Sequence, residues 1–173
     1  MSHKYFFAVW AAISMLLTSC KKDEYWGEFY TLKNGIEWQG KIRAQTNEFF
    51  GEKANISIET FDNEGAKLEH LHFFKIPLRL GRYYLSNTHN QPSTDTLVGC
   101  RYFNGYDDQL FDTYEIAPTD SKSYIEITEY NEGNGELRGN FEVILWPDSN
   151  IPGSWNAPDS LVFSDGVFHT RID

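Results

Sequence analysis

Residues 124–145 read YIEITEYNEGNGELRGNFEVIL and carry the clearest period-two alternation in the chain. Apolar and polar side chains alternate on both sides of the NEGNG segment, as expected for two strands that each bury one face. Asn134-Gly135 accepts positive φ at little cost, so the segment predicts a β-hairpin. The buried face of this hairpin would consist of Ile125, Ile127, Leu137, Phe141, Val143 and Leu145.

The same alternation continues along most of the chain, and no window of eleven or more residues favours a helical period. Further turn signals occur at Asn34-Gly35, 62–65, Asn104-Gly105 and Asp165-Gly166, where hairpins are expected. Strands are predicted at 28–33, 36–45, 55–61, 66–76, 82–87, 96–103, 109–116, 122–130, 135–145, 160–164 and 167–172. About ten short strands predict an all-β fold, either an antiparallel β-sandwich or a partly closed barrel.

The N-terminus differs from the rest of the chain. A basic start at 1–4 precedes an apolar run of 13 residues at 5–17, too short for the roughly 20 residues that span a bilayer but typical of a cleaved signal peptide. Leu17-Thr18-Ser19-Cys20 resembles the lipobox of bacterial lipoproteins. This resemblance implies cleavage between Ser19 and Cys20 and acylation of Cys20; the alternative is an ordinary signal peptide with a chance cysteine.

The segment after Cys20 is Lys21-Lys22-Asp23-Glu24. It resembles the charged export signal of Bacteroidetes-type lipoproteins, which implies display on the outer face of the outer membrane; a solvated tether facing the periplasm is the alternative. The predicted organisation is a signal peptide at 1–19, a lipidated cysteine and polar tether at 20–27, and one β-domain at 28–173. The membrane, reached through the lipid on Cys20, is therefore a predicted partner.

The charge of the chain is acidic and unevenly distributed. The 173 residues contain 15 Lys+Arg and 25 Asp+Glu, and residues 84–173 hold 15 acidic but only 4 basic side chains. This balance disfavours nucleic acid as a partner, because phosphate binding requires clustered Lys and Arg. If the acids share a face, that face would repel anionic lipids and polyanionic glycans and could favour cations; otherwise they serve solubility.

Two groups of residues could ligate a metal ion. His70 and His72 point to one face of a predicted strand, but a zinc site would need a third ligand, such as His89 or His169, from elsewhere. Carboxylates near the Asn104-Gly105 turn could bind calcium, although a solvated acidic loop is the simpler explanation. Calcium is the one cofactor that these residues bring into consideration. The carboxylates concerned are Asp107, Asp108 and Asp112.

The sequence offers little that indicates catalysis. Glu126 and Glu142 lie on the polar faces of adjacent predicted strands and could hydrolyse glycosides if about 5–9.5 Å apart, but an open sheet face lacks a cleft. The motifs Gly-x-Ser-x-Gly and His-Glu-x-x-His do not occur. With Cys20 lipidated, Cys100 has no disulfide partner and is predicted to be a buried strand residue. A non-enzymatic protein is therefore expected.

Aromatic residues give the stronger indication of binding. Tyr124 and Tyr130 share the polar parity of their strand, and Trp146 and Trp155 flank a proline-containing loop at 147–158. Exposed rings beside carboxylates and amides commonly stack on sugar rings, although the same aromatic residues could instead close the ends of a sandwich. These four residues are the predicted ligand-binding residues. Trp26 and Trp38 are expected to pack in the core or at a sheet edge.

Three segments resemble a group of small Bacteroidetes lipoproteins classed as a domain of unknown function. They are 123–130, 137–143 and 164–168, and 76–77 and 81–85 are similar to the central strands of that group. The resemblance implies an all-β lipoprotein domain and brings no catalytic residues. The function expected is a lipid-anchored binding module for an extracellular glycan or protein. The alternatives are a structural or assembly subunit of a surface complex and a glycoside hydrolase-like enzyme.

Overall fold

The computed structural model describes residues 25–46, 53–87, 97–106, 109–117, 122–148 and 157–172. The regular elements in these ranges are β-strands, which confirms the predicted all-β fold. No helix long and apolar enough to cross a membrane occurs among the described residues. The strands found within them are β1 (Gly27–Lys33), β2 (Ile36–Glu37), β3 (Lys41–Thr46), β4 (Lys53–Phe61), β5 (Lys67–Pro77), β6 (Gly81–Tyr84), β7 (Gly99–Tyr106), β8 (Gln109–Ile116), β9 (Tyr124–Asn131), β10 (Glu136–Pro147) and β11 (Leu161–Arg171).

All of these strands belong to one antiparallel sheet that curls around its core. The order is β2-β1-β11-β10-β8-β7-β5-β4-β3, while β9 pairs with the first part of β10 and with β6. A parallel bridge between Ala44 and Ile172 brings β3 to the end of β11, so the two halves of the sheet face each other. The sheet is not closed, which fits a sandwich or partly open barrel.

The core lies between the two halves and is rich in aromatic rings. Phe73 on β5 packs against Phe141 on β10 with ring centroids 5.1 Å apart. Phe163 on β11 contacts Trp38 at 5.2 Å and Tyr102 at 5.8 Å. The predicted hairpin is also confirmed, because all six residues of its expected core face are buried: Ile125, Ile127, Leu137, Phe141, Val143 and Leu145.

Two of the predicted turn positions are wrong, although the hairpin expected near Asn104-Gly105 does form between β7 and β8. At Asp165-Gly166 the predicted strands 160–164 and 167–172 form one continuous strand, β11. The positive φ of Asp165, 53°, accommodates an extra residue opposite Phe141–Val143, which makes a β-bulge and not a turn. Gly105 likewise lies inside β7, where a Cβ would come 2.1 Å from the carbonyl oxygen of Gln109. Close approach of the backbone therefore explains this glycine.

The folded region begins earlier than the predicted boundary at residue 28. The Tyr25 hydroxyl donates a hydrogen bond to the Glu59 carboxylate on β4, and the Trp26 carbonyl accepts one from Thr170 at 2.8 Å. Trp26 also meets the His169 ring edge-on at 5.1 Å. Tyr25 and Trp26, which fall in the predicted tether at 20–27, therefore pack on the sheet.

Two glycines on β10 and β11 each lie opposite a phenylalanine of the other strand. Gly139 pairs with Phe168, and Gly166 pairs with Phe141. A Cβ on Gly139 would lie 2.6 Å from the Phe168 ring, and a Cβ on Gly166 would lie 2.6 Å from the Phe141 ring. Each ring therefore occupies space that any larger residue would fill.

We expect Gly139→Ala to lower the free energy of unfolding by about 1–3 kcal/mol or more, since overpacking usually costs this much. The added Cβ would also come 2.0 Å from the carbonyl oxygen of Glu126, which cannot move without disturbing β9. Gly133→Ala, whose Cβ would meet only the Asn131 side chain at 3.3 Å, is the control and should change stability by less than about 0.5 kcal/mol. Urea unfolding of both variants measures the difference; equal midpoints would contradict the prediction.

Candidate ligand-binding face

The outer surface of β1, β11, β10, β9 and β6 carries three tyrosines, and we call it the tyrosine face. One row of directly paired residues crosses all five strands: Tyr30, Val167, Asn140, Glu126 and Arg82. Neighbouring strands lie about 4.8 Å apart, so this row is about 19 Å long. The face therefore offers an extended surface in which aromatic, amide and charged groups adjoin.

The exposed rings on this face are mainly those of Tyr30 and Tyr84, which are 43% and 62% exposed. Tyr124 lies opposite Tyr84, as expected for a residue of the polar parity. However, the Arg82 guanidinium lies 4.0 Å above the Tyr124 ring and binds Glu126 at 2.7 Å. Burial and the Glu142 carboxylate raise the pKa of the Tyr124 hydroxyl. Tyr124 thus supplies a hydroxyl donor, while Tyr30 and Tyr84 supply open ring surface.

A surface cavity of about 350 Å³ lies at the Tyr30 end of the row, within the range of about 300–1,000 Å³ for small-ligand pockets. Tyr30 and Val167 give it apolar surface, and Glu28, Arg138 and His169 give it polar groups. These residues were not among the predicted binding residues. The sequence did contain a signal, because outward-facing Glu28 and Tyr30 alternate with inward-facing Phe29 and Thr31, as outward and inward residues do at the start of β9.

Tyr130 does not share a face with Tyr124, so this prediction is wrong. Arg138 pairs with Glu129 and Gly139 pairs with Ile127, which leaves Thr128 as an extra residue in β9. This bulge reverses the parity of the strand, and Tyr130 packs against the core. Trp146 is 46% exposed, but it lies opposite Glu115 on β8, four residues and about 13 Å along β10 from Glu142. Trp155 lies outside the described residues.

The two glutamates considered for catalysis both lie on the tyrosine face. Glu126 is opposite Asn140, and Glu142 is opposite Tyr124, so the two are diagonal neighbours, a relation with a typical Cα separation of about 7–8 Å. Glu126 is engaged by Arg82. The arrangement gives two carboxylates on an open surface, one of them already neutralised by an arginine.

The outer surface of β3, β4, β5 and β7 has the opposite character, and we call it the basic face. Its one acidic strand residue, Glu59, is completely buried and binds Lys67 at 2.6 Å and Arg43 at 3.4 Å. Burial alone would raise the pKa of Glu59, but the hydrogen bonds from Lys67 and Tyr25 and the nearby cations lower it. The basic residues of this face are Lys41, Arg43, Lys53, Lys67 and Arg101.

His70 and His72 lie on the basic face, and their rings are 5.2 Å apart, which confirms that they point the same way. His72 Nδ1 is 2.8 Å from the Ser57 hydroxyl, and His70 Nε2 is 3.6 Å from Glu59. In the part of the chain that the structure describes, no three His, Cys, Asp or Glu residues are grouped to hold a metal ion. Burial lowers the pKa of both imidazoles to about 4.

The remaining predicted site residues have separate positions. Asp112 is buried on β8, where its carboxylate accepts a hydrogen bond from Asn104 at 2.9 Å; for Asp112 the expectation of a solvated loop is wrong. Cys100 is buried on β7 as predicted, and burial raises the pKa of its thiol. Four residues lie outside the described part of the chain: Ser19, Cys20, Asp107 and Asp108.

A second polar cluster, not anticipated from the sequence, lies at one end of the core. The Glu69 carboxylate accepts hydrogen bonds from Lys33, Trp38 and Tyr102, and Lys33 Nζ lies 2.6 Å from the Tyr102 hydroxyl. Burial alone would raise the pKa of Glu69, but these donors lower it. Each of these four side chains forms a hydrogen bond within the cluster, so the cluster links β1, β5 and β7.

We expect the two partly buried histidines, His70 and His72, to make the fold sensitive to acid. Between pH 6.5 and about 4 the two imidazoles are protonated in the unfolded chain but stay neutral in the folded chain. The free energy of unfolding is therefore highest above about pH 6.5, where both states are neutral at these histidines, and it decreases as the pH falls towards 4. His72→Gln should reduce the pH slope of the unfolding free energy in this window by about 1 kcal/mol per pH unit. Urea unfolding across the window measures the slope, and an unchanged slope would contradict the assignment.

The chain was compared with protein-family models, curated proteins and solved structures, and none of these comparisons returned a match. The resemblance of 123–143 to small Bacteroidetes lipoproteins therefore stays a prediction. The functional inference rests on the side chains of the tyrosine face.

Proposed function

We propose that this protein is a lipid-anchored, non-enzymatic binding module of the bacterial cell envelope, and that its tyrosine face binds an extracellular glycan. The observation that carries the proposal is the exposed rings of Tyr30 and Tyr84 on a face whose other groups are carboxylates, guanidiniums and an amide. Sugar rings have an apolar face and polar edges, and such a surface complements both.

The length and charge of the face narrow the class of glycan. A row of about 19 Å suits an extended oligosaccharide better than a single sugar. Acidic side chains outnumber basic ones, so repulsion disfavours polyanionic glycans and leaves neutral oligosaccharides as the preferred ligand class. The acids are Glu28, Glu126, Glu129, Glu136 and Glu142, and the bases are Arg82, Arg138 and Arg171.

A hydrolase is the second candidate, because Glu126 and Glu142 are close enough to act as a pair. We favour binding over hydrolysis since the Arg82–Glu126 ion pair occupies one of the two carboxylates. Mass spectrometry of bound oligosaccharides separates the two proposals. Cleavage products that disappear in Glu142→Gln would favour the hydrolase, whereas intact ligand supports a binding module.

The anchor part of the proposal rests on the sequence around Cys20. A 13-residue apolar run before Leu17-Thr18-Ser19-Cys20 supports cleavage and lipidation at this cysteine. Two or more acyl chains would hold the protein stably on the membrane. The Lys21-Lys22-Asp23-Glu24 segment supports display on the outer face of the outer membrane.

Tyr30→Ala and Tyr84→Ala should each weaken glycan binding about fivefold to thirtyfold, because loss of an exposed stacking ring removes roughly 1–2 kcal/mol. A glycan array identifies the ligand, and titration calorimetry measures each affinity. The matched control is Tyr106→Ala, since Tyr106 is 46% exposed but lies at the end of β7, away from this face. Equal losses in all three variants would contradict the assignment, as would unchanged binding in the first two.

Mass spectrometry of the protein purified from membranes should show an N-terminal peptide that begins at Cys20 and carries acyl chains. Cys20→Ala should abolish the acyl mass and release the protein from the membrane fraction. External protease should digest the wild-type protein on intact cells if it is displayed outside. An unmodified Cys20 in membrane-derived protein would contradict lipidation, and full protection from protease would contradict surface display.

A further inference from the structure

A compact cluster of aromatic and basic residues lies where the chain enters the fold, and we call it the Tyr25 patch. The Tyr25 ring meets Phe61 edge-on with centroids 5.7 Å apart. Lys41 Nζ lies 5.4 Å from the centre of the Tyr25 ring and 5.3 Å from that of Phe61, and the Arg43 guanidinium lies 5.5 Å from Tyr25. Lys67 completes the patch by binding Glu59 beneath it.

The patch carries more positive charge than its own carboxylate can neutralise. Glu59 is completely buried and is bound by Lys67, Arg43 and the Tyr25 hydroxyl. Lys41, in contrast, is exposed and makes cation–π contacts. Lys41 therefore places an exposed positive charge beside the Tyr25 and Phe61 rings, over a carboxylate that other residues already bind. Anionic lipid headgroups are attracted by such cations, and tyrosine rings are favoured at membrane interfaces.

The length of the tether limits how far this patch can be from the membrane. Tyr25 is fixed on β4 through Glu59, and Cys20 is five residues earlier in the chain. Five extended residues span at most about 17–18 Å. The tether segment Lys21-Lys22-Asp23-Glu24 has no net charge, so the positive charge that would face the headgroups comes from the patch itself.

We propose that the Tyr25 patch rests on the anionic headgroup layer of the membrane in which Cys20 is anchored. This inference depends on the lipid anchor of the proposed function but not on the identity of the glycan. The tyrosine face is carried by other strands, β1, β11, β10, β9 and β6, so the Tyr25 patch and the tyrosine face share no residues. The headgroup contact therefore orients the binding module.

The test uses the lipidated protein reconstituted into vesicles of phosphatidylcholine alone or of phosphatidylcholine with phosphatidylglycerol. A water-soluble amine-acetylating reagent is added, and peptide mass spectrometry measures the modification of Lys41. Lys122, which precedes β9, is the reference amine in the same sample. We expect Lys41 modification to fall at least about fivefold on the anionic vesicles, because one basic residue near such a surface gains about 1 kcal/mol. The modification should recover in about 1 M salt, which screens this attraction.

A variant pair keeps the test independent of this one amine. In Lys41→Glu the protection of Lys67 by anionic lipid should be lost, whereas in Lys122→Glu it should remain. Equal Lys41 modification on both vesicle types, or protection that is unaffected by salt, would overturn the proposal. Intact-mass measurement of the same sample shows the acyl chains on Cys20. Their absence would overturn the anchor and this proposal together, whereas their presence without protection would overturn this proposal alone.

Discussion

The arrangement of this protein depends on the close approach of β10 and β11. β10 pairs with β11 along most of its length, with β9 in its first part and with β8 at its end, so it joins the two halves of the sheet. Gly139 and Gly166 allow the rings of Phe168 and Phe141 to lie directly over the opposite strand. Phe141 then reaches Phe73 on the other half. Without these two glycines both rings would be displaced, and the contact of Phe141 with Phe73 across the core would be disturbed.

β-Bulges decide which side chains reach the tyrosine face. Period-two alternation identified the strands and the buried residues of the β9–β10 hairpin, since burial on one face leaves a direct mark on the sequence. An inserted residue leaves no such mark. Thr128 reverses the parity of β9 and turns Tyr130 into the core. Asp165 does the same within β11, although its Asp-Gly dipeptide has the composition of a turn. Strand existence could therefore be predicted, whereas bulge positions could not.

The candidate site was predicted in part for a related reason. Tyr124 and Glu126 were found because they lie in the most regular strand. Tyr30 and Tyr84 lie in short strands whose outer neighbours come from distant parts of the chain. The buried carboxylate of Glu59 and the partly buried carboxylate of Glu69 are likewise explained by partners 8–36 residues away. Several hydrogen-bond donors together offset the cost of burying each carboxylate. These donors come from different strands, so they cannot be identified from the sequence before the strand pairing is known.

The opposite outer faces of the sheet carry opposite net charge. Acidic side chains prevail on β1, β9, β10 and β11, and basic ones prevail on β3, β4, β5 and β7. Such a separation gives the domain a permanent electric dipole across its thickness. Copies held in one membrane in the same orientation would have parallel dipoles, which repel when they stand side by side. At physiological ionic strength such repulsion decays over about 8 Å, so it would act only between domains that nearly touch.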